Sequence, residues 1–410
     1  MIAFHFPPLA ASGGIQRTLR FVQHLPAFGW EVTVLTADPR AYERTSDDLV
    51  PDIPRDVVVE RAFALDSGRH FAIAGRYPGW LATPDRWTLW RFAAVRDGLR
   101  LIRQQRPDVL WSTFPIATAH LIASRLHRRS GLPWIADFRD PMVQEGYPAD
   151  PRVFRSFQRA EADAIRAARL SVFTSPGAAR LYRDRYPLHA RRIRVLENGY
   201  DEDVFAGLAA GRDSDKPLNR GAVTLLHSGV VYPSERDPTC LFAALAHLVA
   251  EGALVAGRFK LRFRATGQAE LLHGLTRSHG LESFVEVLPS LAYREALAEM
   301  VRADGLLVLQ ASNCNGQIPA KLYEYLRAGR PILALTDPAG DTAQVMRDAG
   351  LDRIARLDSV EEIESSLRRF VADIGSGRAA LPTPSHVARL ARKEQARTLA
   401  AWLEEACVTP

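Results

Sequence analysis

Along almost the whole chain, short apolar runs alternate with stretches in which apolar residues recur every three or four positions. Runs of the first kind include Ile2 to Phe6, Glu31 to Thr36, Asp108 to Thr113, Leu132 to Phe138 and Leu170 to Ser175. The pattern resumes with Val223 to His227, Lys260 to Ala265, Val285 to Pro289, Leu306 to Leu309 and Pro331 to Leu335. Runs that are apolar at consecutive positions must bury both faces, which strands do in a parallel sheet covered by helices on either side. Parallel neighbours need long crossovers, and the intervening helical stretches supply them. The fold class expected is therefore α/β, with Rossmann-like βαβ units.

At 410 residues the chain exceeds one ordinary core. The polar, aperiodic run Gly211 to Gly221 interrupts the alternation, which then restarts at Val223. The expected division is a first domain over 1–200, a second over 201–385, and a closing helix over 386–410. Hydrophobic residues at 47% and charged residues at 24% are ordinary globular usage and argue against disorder. The net charge of +6 suits anionic partners such as nucleotides or lipid phosphates, but is too small and dispersed for DNA. Three widely spaced cysteines, Cys240, Cys314 and Cys407, have no metal-ligand spacing and suggest free thiols in a reducing compartment. No apolar run reaches the roughly 18 residues of a membrane span. Met1 to Leu9 reads as a strand, so the expected location is the cytoplasm, with or without contact at the inner face of its membrane.

One stretch carries most of the chemistry. From Asn313 to Leu335 a polar loop with Gly316 leads into a helix opened by Pro319 and closed by Gly329, and then into a buried strand. A helix start gathers unbonded N–H groups at a positive dipole end, which suits phosphate. Lys321 and Glu324, three apart, share one face of that helix, while Leu322, Tyr325 and Leu326 turn to the core. Such a helix offers an anion site and, one turn on, a carboxylate for sugar hydroxyls. A nucleoside diphosphate presents both groups. An ordinary amphipathic helix with two solvated charges would read the same way.

Other candidates lie at strand ends. Gly13, Gly14 and Arg17 form a glycine loop between the first strand and the first helix, where a backbone without Cβ atoms admits close approach. Asp137, Arg139 and Asp140 follow the strand through Ile135; they either orient an acceptor hydroxyl or form a structural ion pair. Gly229, Arg236, Thr266 and Gly267 follow strands of the second half, and Arg236 either reaches back to neutralise a diphosphate or is an ordinary surface arginine. Around Trp80 and from Arg86 to Phe92, aromatic and basic residues mix; this is either an interfacial patch for anionic lipid or a lipid-linked acceptor, or a helix core with solvated arginines.

The segment Ile318 to Pro331 resembles the donor-binding segment of the GT-B retaining glycosyltransferases of family four, also called group 1. Glycine loop, aspartate loop, the hinge-like Asn198-Gly199-Tyr200-Asp201, Arg236 and the donor helix follow in that family's order. The resemblance implies two Rossmann-like domains with parallel sheets facing across a cleft, the second binding a UDP- or GDP-linked sugar and the first an acceptor, with the closing helix over 386–410 packing back on the first. It also implies that Glu324 holds the nucleotide ribose, that Gly13, Gly14, Arg17, Gly229, Arg236, Thr266, Gly267, Gly316, Ile318 and Lys321 line the donor, and that transfer proceeds with retention and without a metal or other cofactor. The resemblance further implies that Asp137, Arg139 and Asp140 lie beside the reacting carbon, where related enzymes often place a histidine or aspartate. Many members carry a second glutamate eight positions before Glu324, where this chain has Gly316. The expected activity is transfer to a cell-surface polysaccharide or lipid-linked glycan precursor, with no nucleic-acid partner. A nucleotide-sugar 2-epimerase and a non-catalytic pseudoglycosyltransferase subunit are the alternatives.

Overall fold

The computed structural model describes residues 1–10, 13–72, 76–209 and 216–408. Ala11 and Ser12 of the glycine loop, and residues 211–215 of the expected boundary loop, lie outside them. The chain forms two compact units, Met1–Asn198 with Arg392–Pro410, and Gly199–Ala391. Among the described residues no helix is long and apolar enough to cross a membrane.

In the first unit, β1 (Thr33–Ala37) pairs in parallel with β2 (Val58–Ala62), and β3 (Leu110–Thr113), β4 (Trp134–Arg139), β5 (Leu170–Phe173) and β6 (Ile193–Val195) form a parallel ladder in chain order. Ile2 joins the two groups by bridging both Leu35 and Ser112. The expected strand Ile2 to Phe6 is thus reduced to this bridge, because Pro7 and Pro8 lack the N–H groups that would extend it. Phe4 and Trp90 belong to the core on one face of this sheet. Phe21, Trp111, Ile135 and Val172 pack on the other face with Ala396, Leu399 and Leu403 of the terminal helix Arg392–Val408. The stretch from His386 is two helices, not one: Pro384–Arg389 ends within the second unit, and the chain enters the first unit at Arg392. At that break Leu390 and Ala391 are buried, the Leu390 carbonyl accepts from Tyr200 N–H at 3.3 Å and Ala391 bridges Tyr200, so the backbone there is engaged outside a helix.

The second unit has one six-stranded parallel sheet in the order β12-β11-β10-β7-β8-β9, comprising β7 (Val223–Ser228), β8 (Phe259–Arg264), β9 (Val285–Leu288), β10 (Gly305–Leu309), β11 (Ile332–Leu335) and β12 (Ile354–Ala355). Side chains alternate across it. Leu307, Leu309, Leu333 and Leu335 enter one core, and Leu306, Val308, Ile332 and Ala334 the other. That two-sided burial is why these runs are apolar throughout. The chain winds outward from β7 through β8 to β9, then returns to β10 on the opposite side of β7. The carboxyl ends of β7 and β10 therefore flank a topological switch point, where open α/β sheets bind ligands.

Candidate functional site

Around the second unit's switch point, β7 ends in Ser228 and Gly229, β8 in Thr266 and Gly267, and β10 in Gln310. The helix after β10 spans Lys321–Ala328, with Ala320 at its start and Gly329 closing it in the left-handed conformation, φ 66°. Leu322 N–H donates to the Pro319 carbonyl at 2.9 Å, so Pro319 shapes the entry without belonging to the helix. Leu322, Tyr325 and Leu326 are buried, while Lys321 and Glu324 on the other face are half-buried.

The loop that presents this helix is tied down from below. The Gln310 Nε2 donates to the carbonyls of Cys314 at 2.8 Å and Gln317 at 2.9 Å, and its Oε1 accepts from Thr342 Oγ1. Asn315 Nδ2 donates to Asp337 at 2.5 Å, and the Asn315 carbonyl accepts from Asp341 N–H at 2.9 Å. Backbone groups held this firmly can face an anion with little reorganisation. Gly316 and Ile318 both lie in this loop. The Ile318 side chain is buried in the core, so any ligand contact it makes is through its backbone.

Lys321 reaches back across β7. Its Nζ is 3.0 Å from His227 Nε2, and His227 Nδ1 is 3.0 Å from the Leu307 carbonyl. Gly229, at φ 121°, lies under the lysine; a Cβ there would come 3.0 Å from Nζ and 3.2 Å from Cε. Burial pushes the His227 imidazole well below its ordinary range, and Lys321 lowers it further. The Lys321 amine is itself held well below the usual lysine value, by burial first and then by the Arg236 charge, with Glu324 acting in the opposite sense. Arg236, Lys321 and Glu324 thus sit close enough to feel one another. Arg236 lies over the Tyr232 ring, 5.1 Å from its centre, and donates to the Val230 carbonyl at 2.7 Å. The Thr266 carbonyl accepts from Val231 N–H at 2.9 Å, and a Cβ on Gly267 would contact Val230, which brings this turn beside the Arg236 loop. Glu324 Oε1 accepts from Tyr293 Oη at 2.9 Å. Gly229, Arg236, Thr266, Gly267, Gly316, Ile318, Lys321 and Glu324 are therefore all carried on one edge of one sheet or its connecting loops.

The first-unit candidates also cluster, but they are engaged with one another. Arg17 makes a bidentate pair with Asp137, both bonds 2.9 Å, and donates to the Glu197 carbonyl at 3.0 Å. Asp137 is fully buried and also accepts from Thr113 Oγ1 at 2.9 Å. Arg139, at φ 60° beyond a register shift in β4, donates to Thr113 Oγ1 and to the Gly14 carbonyl, each at 2.8 Å. Burial pushes its guanidinium down to about 10 despite Asp137 nearby. A Cβ on Gly14 would lie 2.7 Å from Arg139 Nη1 and collide with His5, so this glycine is needed for packing. Gly13 is exposed with open space around it, and Asp140 is exposed. Of the aromatic and basic stretch, Trp90 is buried against Phe4, whereas Trp80 is 72% and Phe92 63% exposed.

Sequence reasoning passed over His227, Tyr293 and Gln310. The only signal for His227 was its place one residue before Ser228-Gly229 at a strand end. A cavity of about 630 Å³ lies elsewhere, lined by Met1, Thr33, Leu101 and Trp111 at the amino edge of the first unit's sheet, and none of the candidate residues lines it.

Residues 12–199 match the family model described as Glycosyl transferase 4-like domain. Among solved structures the chain is similar to Alr3699/HepE of Anabaena in complex with UDP and glucose, at 14% identity and a TM-score of 0.66, over 98% of this chain and 99% of that one. It is also similar to a glycosyltransferase from Rickettsia africae, at 11% identity and TM-score 0.70, over 100% of this chain and 99% of that one. A UDP-forming α,α-trehalose-phosphate synthase from Burkholderia xenovorans, in complex with glucose-6-phosphate, aligns at 11% identity and TM-score 0.70 over 98% and 99%. No curated protein matches the sequence.

Proposed function

We propose that this chain, whose residues 12–199 match a glycosyl transferase 4-like domain and whose fold is that of the GT-B glycosyltransferases, is a glycosyltransferase of the group 1 type that transfers a sugar from a nucleoside diphosphate donor held by its second unit. The observation that carries the reading is Lys321, laid across Gly229 at the β7 and β10 switch point with Arg236 beside it and Glu324 one turn along the same helix. Its solved neighbours supply the donor class, since HepE of Anabaena was crystallised with UDP and with UDP-glucose. A UDP-linked sugar is the first choice on that ground, with GDP-linked sugars next.

In the reaction, the bond between the anomeric carbon and the diphosphate oxygen breaks, with its electron pair leaving on the diphosphate. An acceptor oxygen bonds to that carbon, and its proton passes to the departing phosphate oxygen. This proton route, on the face the diphosphate leaves, gives retention and asks for no protein nucleophile. Negative charge grows on the diphosphate, and Lys321, Arg236 and the N–H groups at the helix start are fixed cations and dipoles that meet it without a metal. Glu324 accepts hydrogen bonds from the ribose. Asp137, paired with Arg17, acts by holding the 137–140 loop, as does the buried Arg139 through Thr113 and the Gly14 carbonyl, and the exposed Asp140 is the member of the group open to an acceptor. A lipid-linked or cell-surface glycan precursor is the acceptor class proposed, and the exposed Trp80 and Phe92, with Arg91 stacked on the latter at 4.8 Å, support contact with an anionic membrane face.

Incubating the protein with a panel of UDP- and GDP-sugars tests this, with released nucleotide and sugar followed by chromatography. Slow hydrolysis of one donor supports transferase chemistry. Isomerisation of the intact donor would instead indicate an epimerase. Tight nucleotide binding with no turnover would favour a non-catalytic subunit, the reading to which Gly316 in place of a glutamate lends weight.

A further inference from the structure

We infer that His227 is a positioning residue of the donor site: a neutral imidazole whose Nε2 accepts a hydrogen bond from the Lys321 amine and aims it at the diphosphate. The inference rests on the donor-site reading above and adds to it a residue that no motif marks. The tautomer follows from the partners. The Leu307 carbonyl can only accept, so Nδ1 at 3.0 Å carries the hydrogen. Nε2 then presents a lone pair to Lys321 Nζ at 3.0 Å. A protonated ring would instead point an N–H at the ammonium, and the ring is fully buried with Lys321 and Arg236 both near, so the neutral form is the one that fits.

The arrangement answers a mechanical problem. Lysine is a compact charge on a flexible stem, and a cation that wanders contributes little to stabilising a leaving group. Here the stem is clamped between the Gly229 backbone, whose missing Cβ leaves it room, and the imidazole, which lies at the carboxyl end of β7 and is wedged against Phe263 with ring centres 5.7 Å apart. Because His227 bonds Leu307 of the adjacent strand β10, the amine is indexed to the two strands that form the switch point.

Two conservative variants separate positioning from mere support. In His227→Asn the shorter amide can still donate to Leu307 but falls short of Lys321; in His227→Gln the carboxamide oxygen reaches the Nε2 position. Affinities for UDP and UMP, measured by titration calorimetry on the full chain, give the readout, with GDP and GMP if the uridine pair does not bind. The prediction is that His227→Asn weakens diphosphate binding about tenfold or more while leaving monophosphate binding within about twofold, the loss expected for a hydrogen bond to a charged group. His227→Gln should keep the wild-type ratio even if it melts earlier. In a Lys321→Met background the Asn effect should vanish. A His227→Asn protein with an unchanged ratio, or a loss that persists without Lys321, overturns the inference. Failure of the wild type to bind any nucleoside diphosphate would instead remove the donor-site reading and this inference with it.

Discussion

Replacing Glu324 by alanine tests the ribose half of the proposed donor site. The carboxylate stands half-buried on the helix Lys321–Ala328 and accepts from Tyr293 Oη at 2.9 Å. A net hydrogen bond from a ribose hydroxyl to a carboxylate contributes about 1.5–3 kcal/mol, which corresponds to about 10- to 150-fold in Kd. The substitution removes no core atom, and alanine is the better helix former, so loss of the Tyr293 bond should move the melting temperature by only a few degrees. Titration calorimetry of the wild type and Glu324→Ala with UDP and with 2′,3′-dideoxy-UDP then isolates the effect. Wild type should discriminate between the two ligands by the factor above, and Glu324→Ala should bind both equally and weakly. A variant that still prefers the ribose form would refute the assignment of Glu324.

Further outcomes follow from the same geometry. Arg236→Ala should weaken UDP binding several-fold with little change in melting temperature, since the guanidinium stacks on the exposed Tyr232 and donates to the Val230 carbonyl outside the core; equal UDP affinity in calorimetry would place the diphosphate elsewhere. Arg17→Met should destabilise the first unit by about 3 kcal/mol in urea unfolding, because it removes the bidentate partner of the fully buried Asp137 and leaves it Thr113 Oγ1 and the Arg139 guanidinium at 3.8 Å; a loss under about 1 kcal/mol would mean that the pair is not what holds the loop. Acid should unfold the protein early. His120, pushed down to about 4 by burial, and His227, held well below its ordinary value, stay neutral in the folded chain and take up protons only when it unfolds. Each unfolded imidazole titrates near 6.5, so stability falls as pH drops through that value, by about 2 kcal/mol per histidine between pH 7.5 and 5. Urea midpoints unchanged over that range would contradict the neutral assignment.

Much of the fold was legible because the strands of the second unit are buried on both faces: Leu306 to Leu309 and Ile332 to Leu335 have no polar face to blur them. The helix Lys321–Ala328 was legible through local chemistry, with Pro319 before it and Gly329 after it. Features that depend on residues distant in sequence were not. Arg17 and Asp137 are separated by 120 positions, and only the folded sheet shows that each satisfies the other. His227 and Lys321 are 94 apart, and a histidine closing an apolar strand gives no sign of its partner. The end of the second unit was also hidden, since helical periodicity runs from His386 onward while the backbone of Leu390 and Ala391 pairs with the distant Tyr200.

The most direct test is a crystal structure of the chain soaked with UDP or a UDP-sugar. The account places the diphosphate within hydrogen-bonding distance of Lys321 Nζ and the backbone N–H groups at the start of the 321–328 helix, with the ribose on Glu324. Density for the nucleotide at any other place, with Lys321 still bonded only to His227, would contradict it.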